Sequence, residues 1–168
     1  TPDGGRNRLG HPLNSGQTRI RDMRRAIVFA TAEAAEEAFY DAMQRGDAQG
    51  MMALWADDDD VTCVHPNGPR LVGIDAIRSA FEHIFARGGV GVRVSDVRVH
   101  QGAVIAVHNL IEQVAVAGPG GGSQVIDCTA TNVYLKTANG WRIVLHHASP
   151  VSEGGAAAEG SAGSAVLH

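Results

Sequence analysis

The sequence predicts an α+β domain, helices first and then a curved, mostly antiparallel sheet. Three observations predict it. Apolar residues recur at helical spacing between Ala32 and Phe85. From Val90 to Ser149 they alternate with period two in four long runs. Gln101-Gly102, a Gly118-Pro119-Gly120-Gly121-Gly122 tip and Asn139-Gly140 separate those runs as hairpin turns do. Helices followed by a meander of strands place the helices on one face of the sheet. A bent sheet closed by helices leaves a cone, and a cone has a pocket.

Length and composition agree with one such domain. The chain has 168 residues, 44% hydrophobic and 19% charged, with a net charge of −4. That is too apolar for disorder and too polar for a membrane protein. No run approaches the apolar length that spans a bilayer. Residues 1–25 carry six Arg against two Asp, while the rest is acidic. An acidic body argues against nucleic acid, and the basic arm has no aromatic residue to stack on a base. Residues 1–25 read as a flexible N-terminal extension and 152–168 as a flexible tail, leaving 26–151 as the folded domain. Met23 resembles a natural start, so residues 1–22 read as an upstream extension. Cys63 and Cys128 stand far apart with no zinc spacing, which predicts free thiols in a cytoplasmic protein.

Each element has its own signal. Ala32, Ala35, Phe39 and Met43 form the apolar stripe of a helix over about 26–45, stopped by Gly46. Asp47 caps a short second helix running to Trp55. Short strands follow at 61–65 and 70–72. Ile74, Ile77, Phe81, Ile84 and Phe85 mark a third helix, ended by Gly88-Gly89. Four strands are then expected at 90–100, 103–117, 124–137 and 141–149. Val90, Val92 and Val94 share one parity and Val97 and Val99 the other, so a β-bulge is expected near Asp96. The glycine-rich tip lacks the Lys-Ser/Thr of a phosphate loop, and no helix follows it.

Taken in order, several short motifs resemble one superfamily. They are Gly46-Asp47, Leu54-Trp55-Ala56-Asp57-Asp58, His65-Pro66-Asn67-Gly68, Gly73-Ile74-Asp75-Ala76-Ile77, and Gly140-Trp141-Arg142-Ile143 leading to His146-His147-Ala148-Ser149. Over residues 33–149 the chain resembles the nuclear-transport-factor-2-like proteins, most of all their SnoaL-like, ketosteroid-isomerase-like branch. The resemblance implies a cystatin-like α+β cone, a homodimer and no organic cofactor. It does not imply a reaction, because this fold hosts many. In the slot of the isomerase's base this chain has His65. Phe39 occupies the position of its helix tyrosine, with Tyr40 one residue off. Its acid falls near Thr131, with Asp127 four residues earlier. All three roles are altered, which argues against that isomerisation.

The residues themselves nominate His65 and His147 as an acid–base pair, since imidazole exchanges protons near neutral pH. Trp141, Ile143, Leu145, His147 and Ser149 alternate on one strand face, which predicts that this face lines the interior. Tyr40, Trp55, Asn132, Tyr134 and Ser149 are the candidate ligand-binding residues. A metal held by His65, His108, His146, His147 and Asp58 is the alternative. Because His146 and His147 are adjacent on a strand and point opposite ways, no metal is expected. Asp57–Asp60 lack calcium-loop spacing. The predicted function is binding of a small apolar or aromatic molecule in the cone, with histidine acid–base chemistry of isomerase, cyclase or dehydratase type. The alternative is a non-catalytic dimerisation or assembly module.

Overall fold

The computed structural model describes residues 27–117 and 119–151. The expected tails, the basic arm and the Met23 start lie outside the described residues. Three helices and six strands form the described body: α1 (Ala32–Arg45), α2 (Ala48–Ala53), β1 (Thr62–Val64), β2 (Arg70–Val72), α3 (Ile74–Phe85), β3 (Val92–Gln101), β4 (Ile105–Ala117), β5 (Ser123–Thr137) and β6 (Gly140–Pro150). The strands make one sheet in the order β2-β1-β6-β5-β4-β3. Of the pairings between these six strands, β1–β6 is parallel and the other four are antiparallel. The architecture is the expected α+β cone.

Helix α1 begins later than the 26–45 expectation. Thr31 caps it, its side chain accepting from the Ala34 amide at 3.1 Å. Phe29 instead joins the sheet through a parallel bridge to Gly140. At the other end Gly46 adopts the left-handed conformation (φ 67°) and donates to the carbonyls of Ala42 and Met43. Asp47 caps α2 by accepting from Gly50 at 2.8 Å. Helix α3 ends at Phe85, short of Gly88-Gly89.

Those two glycines have another use. The Val90 amide donates to Met43 O at 2.8 Å, tying the post-α3 loop to the end of α1. A Cβ on Gly89 would lie 1.9 Å from the Gln44 carbonyl oxygen. Gly89→Ala therefore lowers unfolding free energy by about 1–3 kcal/mol, the cost of overpacking. Gly91→Ala, whose Cβ would meet only Ala115 Cβ at 3.5 Å, leaves it nearly unchanged. Urea unfolding of both variants checks this, and equal midpoints would refute the close approach.

Two bulges decide which side chains enter the cone. In β3 the register slips between Ser95 and Arg98, with Asp96 at φ 46°, as the valine parity predicted. Val92 stays buried while Val97 and Val99 face outward. In β6 the register runs Val133–Leu145 and then Tyr134–Ile143, so Val144 is an extra residue. Trp141 and Ile143 point in before the bulge; after it, His146 and Ala148 do. The core is Phe39, Met51, Leu54, Ile77, Phe81, Leu110, Tyr134 and Ile143, each essentially buried.

Candidate functional site

Inside the cone, α1 lies over β4, β5 and β6. The sheet presents alternate residues there: Ala106, His108, Leu110 and Glu112 from β4, Cys128, Ala130, Asn132 and Tyr134 from β5, and His146 and Ala148 from β6. Register places Asn132 opposite both His108 and His146. The i, i+4 pair Glu36 and Tyr40 of α1 descends onto this patch.

The result is a connected polar network in an apolar interior. Tyr40 Oη donates to Glu112 Oε1 at 2.8 Å. Asn132 Nδ2 donates to Tyr40 Oη at 3.1 Å and to Glu36 Oε2 at 3.4 Å. Tyr134 Oη donates to the same Glu36 oxygen at 3.2 Å. His108 Nδ1 lies 2.9 Å from it, and His146 Nδ1 lies 2.7 Å from Asn132 Oδ1.

The donor directions are forced by chemistry. Glu36 meets its partners as an acceptor, so the amide nitrogen of Asn132 faces it and the amide oxygen faces His146. His146 therefore carries its proton on Nδ1, and so does His108. Since Asn132 donates to Tyr40, the tyrosine's own proton goes to Glu112. One directed chain, His146 to Asn132 to Tyr40 to Glu112, ends on a carboxyl group that is only 2% exposed. His108 Nε2 is buried without a partner among the described residues.

Burial sets the proton affinities. It raises the Glu112 carboxyl above the ordinary range; the Tyr40 bond opposes this and the nearby Glu36 adds to it. It lowers His146 to about 3, helped by His65 and His147, so that ring is neutral. It lowers His65 as well. It pushes Tyr40 upward, with Glu112 contributing, so the phenol keeps its proton. Cys63 Sγ, 3.5 Å from His65 Nε2, is pushed up to about 12, too high for a thiolate nucleophile at neutral pH.

A cleft of about 700 Å³ opens beside this network, between Glu36, Tyr40 and Gln44 of α1 and Val92, Arg93 and Val94 of β3. Glu36 and Tyr40 belong to both, so they are where a molecule in the cleft would meet the network.

The sequence candidates separate on this geometry. Tyr40, Asn132 and Tyr134 come together in the network. His65 sits at its margin, edge-on to Phe81 at 5.0 Å and 6.3 Å ring to ring from His146. His147 and Ser149 are corrected: both are exposed on the outer face, because the Val144 bulge reverses the parity that pointed them inward. Trp55 is also displaced from the expected ligand wall. It is bridged to Ile143 and lines a separate cavity of about 270 Å³ with Asp57, Asp58 and Arg142. Asp127 is exposed and accepts from Gln113 at 3.3 Å. Among the described residues no three His, Cys, Asp or Glu side chains are grouped to hold a metal, and no helix is long and apolar enough to cross a membrane. Sequence reasoning missed Glu36 and Glu112 entirely. Glu36 stands one turn before Tyr40, a spacing that could have found it once Tyr40 was nominated; Glu112 shares parity with His108 and Leu110, but only α1 shows that this face is the inner one.

The SnoaL-like domain profile matches residues 32–153. The chain belongs to the SnoaL-like family. Among solved structures, this SnoaL-like protein is similar to one from Thiobacillus denitrificans, provisionally assigned as a calcium/calmodulin-dependent protein kinase type II association domain. They share 38% identity over 75% of this chain and 99% of the other, with a TM-score of 0.66. It is also similar to a Streptomyces avermitilis protein of the nuclear-transport-factor-2-like family, provisionally called a dehydratase. Identity there is 32% over 71% and 93% of the two chains, with a TM-score of 0.64. A Caulobacter vibrioides protein with a cystatin-like fold aligns at 16% identity over 72% and 87%, TM-score 0.62, and shares the fold alone. No curated protein matches the SnoaL-like chain.

Proposed function

We propose that this SnoaL-like protein binds a small, largely apolar or aromatic molecule in the α1–β3 cleft and performs acid–base chemistry on it through Tyr40 and Glu112. The carrying observation is the directed chain that ends on a buried carboxyl group. Burying two carboxylates and two imidazoles is costly for stability, and such clusters concentrate at functional sites. In the proposed step a proton leaves the bound molecule for Tyr40 Oη while the phenol proton moves to Glu112 Oε1. Tyr40 thus relays a proton without becoming a free phenolate, and Glu112, with its raised affinity, holds it. Return of that proton through Tyr40 to a different carbon of the molecule completes an isomerisation; its return to a β-hydroxyl, whose C–O bond breaks to release water as the new double bond forms, completes a dehydration. This replaces the His65–His147 pair with a carboxyl–phenol pair.

The test is an NMR titration with aromatic alcohols and ketones. Expected shifts concentrate at Glu36, Tyr40, Gln44 and Val92–Val94; shifts confined to the outer sheet overturn the reading. Once a turned-over compound is found, Glu112→Gln lowers kcat by about 10²–10⁴-fold, the worth of a placed general base, with KM little changed. Unchanged kcat removes Glu112 from the chemistry.

A second reading is an assembly module, and one observation favours it. The outer face carries an apolar row, Val107–Val133–Leu145, in cross-strand register, flanked by half-exposed Ile111 and Leu135. The similarity to a provisionally assigned association domain points the same way. Both readings fit a homodimer formed through this face, and the two buried free thiols fit a reducing, cytoplasmic setting. Light scattering giving a monomer mass overturns the homodimer.

A further inference from the structure

We infer that the molecule held in the α1–β3 cleft is a cation, an organic ammonium whose charge sits against Glu36 and whose apolar part lies along Val92 and Val94. The inference rests on the small-molecule reading above and adds the charge class of the ligand.

The distribution of charge around the cleft carries it. Its helical wall presents two adjacent carboxylates, Glu36 and Glu37. The Glu36 side chain is 12% exposed, so it is largely enclosed yet still lines the cleft. Behind that wall stands Glu112, reached through the Tyr40 hydroxyl. Against these, the opposite wall offers one guanidinium, Arg93, which is exposed. Among the described residues, the buried network contains no Lys or Arg. The buried guanidinium of Arg142 is occupied elsewhere. It lies over Phe29 at 5.1 Å and donates to Ile27 O at 2.6 Å and Trp141 O at 2.9 Å. Glu36 Oε2 accepts from two neutral donors, Asn132 and Tyr134, and its one titratable partner is the buried imidazole of His108, whose Nδ1 lies 2.9 Å away.

A carboxylate with no Lys or Arg partner among the described residues, at the base of a partly apolar cleft and beside a second carboxylate, attracts a positive charge. It repels an anion for the same reason. The valine side chains give the remaining wall an apolar character, so the fitting ligand is an amphipathic amine rather than an inorganic ion.

Three molecules of similar size and different charge separate the possibilities: phenethylamine, phenethyl alcohol and phenylacetate, each titrated calorimetrically into the native chain. Phenethylamine is expected to bind at least about tenfold more tightly than phenethyl alcohol, and phenylacetate most weakly. In Glu36→Gln the advantage of the amine over the alcohol falls to about twofold or less. Because Glu36 also anchors the buried network, exposed Glu37→Gln serves as a second variant and is expected to reduce the same advantage by about two- to threefold. Tighter binding of the alcohol or of phenylacetate overturns the charge inference and leaves the small-molecule reading standing. An undiminished amine preference in a folded Glu36→Gln also overturns it. Binding of none of the three overturns both.

Discussion

Asn132→Leu is expected to lower the free energy of unfolding by about 3–6 kcal/mol, a large loss for a near-isosteric change. The side chain is fully buried and serves three partners: it accepts from His146 Nδ1 and donates to Tyr40 Oη and Glu36 Oε2. Leucine fills similar space but serves none of them. An unsatisfied buried donor or acceptor costs about 1–3 kcal/mol, and here up to three are created at once. A domain of this size has only about 5–15 kcal/mol in hand. Burying leucine's methyl groups offsets part of this cost, and the expected loss is the remainder. Urea unfolding followed by far-ultraviolet circular dichroism reads the effect. A midpoint within experimental error of the native one would mean that the network is not a coupled unit.

The variant also separates structure from chemistry. Asn132 fixes the direction of the Tyr40 hydroxyl without touching the cleft. Losing it should free Tyr40 to rotate, so ligand affinity falls together with stability. Losing Glu112 alone should leave affinity closer to native and affect turnover.

What could be read from the sequence follows from which signals are local. Helix periodicity gave α3 because Ile77, Phe81 and Phe85 repeat on one face. The valine parity gave the β3 bulge because both registers are visibly apolar. In β6 the same reasoning failed. Trp141, Ile143 and Leu145 look like one continuous inward face, and nothing local marks Val144 as the extra residue. The bulge is set by pairing with Val133 and Tyr134 on β5, a long-range fact. One misplaced residue then exchanged His146 for His147 and Ala148 for Ser149. The carboxylates were hidden for a related reason. On β4, Val107, Asn109, Ile111 and Gln113 alternate with Ala106, His108, Leu110 and Glu112, so both faces mix apolar and polar residues. Hydropathy cannot say which is inside; α1, supplying Glu36 and Tyr40, decides it.

The second large effect is a pair of opposed proton linkages, visible only when one member is removed. His146 is held to about 3 in the fold, against an ordinary 6.5. As pH falls through that window the unfolded chain takes up a proton and the folded chain does not. This contribution is therefore complete above 6.5 and is lost on the way down toward 3. His65, lowered by burial, acts in the same sense. Glu112 acts in the opposite sense. Its folded affinity lies above the ordinary 4.5, so its contribution is complete below 4.5 and is lost as pH rises through the raised value. Above pH 4.5, as far as the raised Glu112 value extends below 6.5, the two slopes oppose each other, and the native protein should show a shallower dependence than His146 alone would give. Glu112→Gln removes the falling limb, so its stability should climb with pH in that interval more steeply than the native protein's, by up to about 1 kcal/mol per pH unit. His146→Gln, which keeps an amide donor near Asn132, removes the main rising limb and should flatten or invert the dependence. Urea midpoints at three pH values across that interval decide the matter. Parallel curves for native and Glu112→Gln protein would show that Glu112 does not hold a proton more tightly in the fold than in the unfolded chain. The relay through Tyr40 would then lose the acceptor on which it depends.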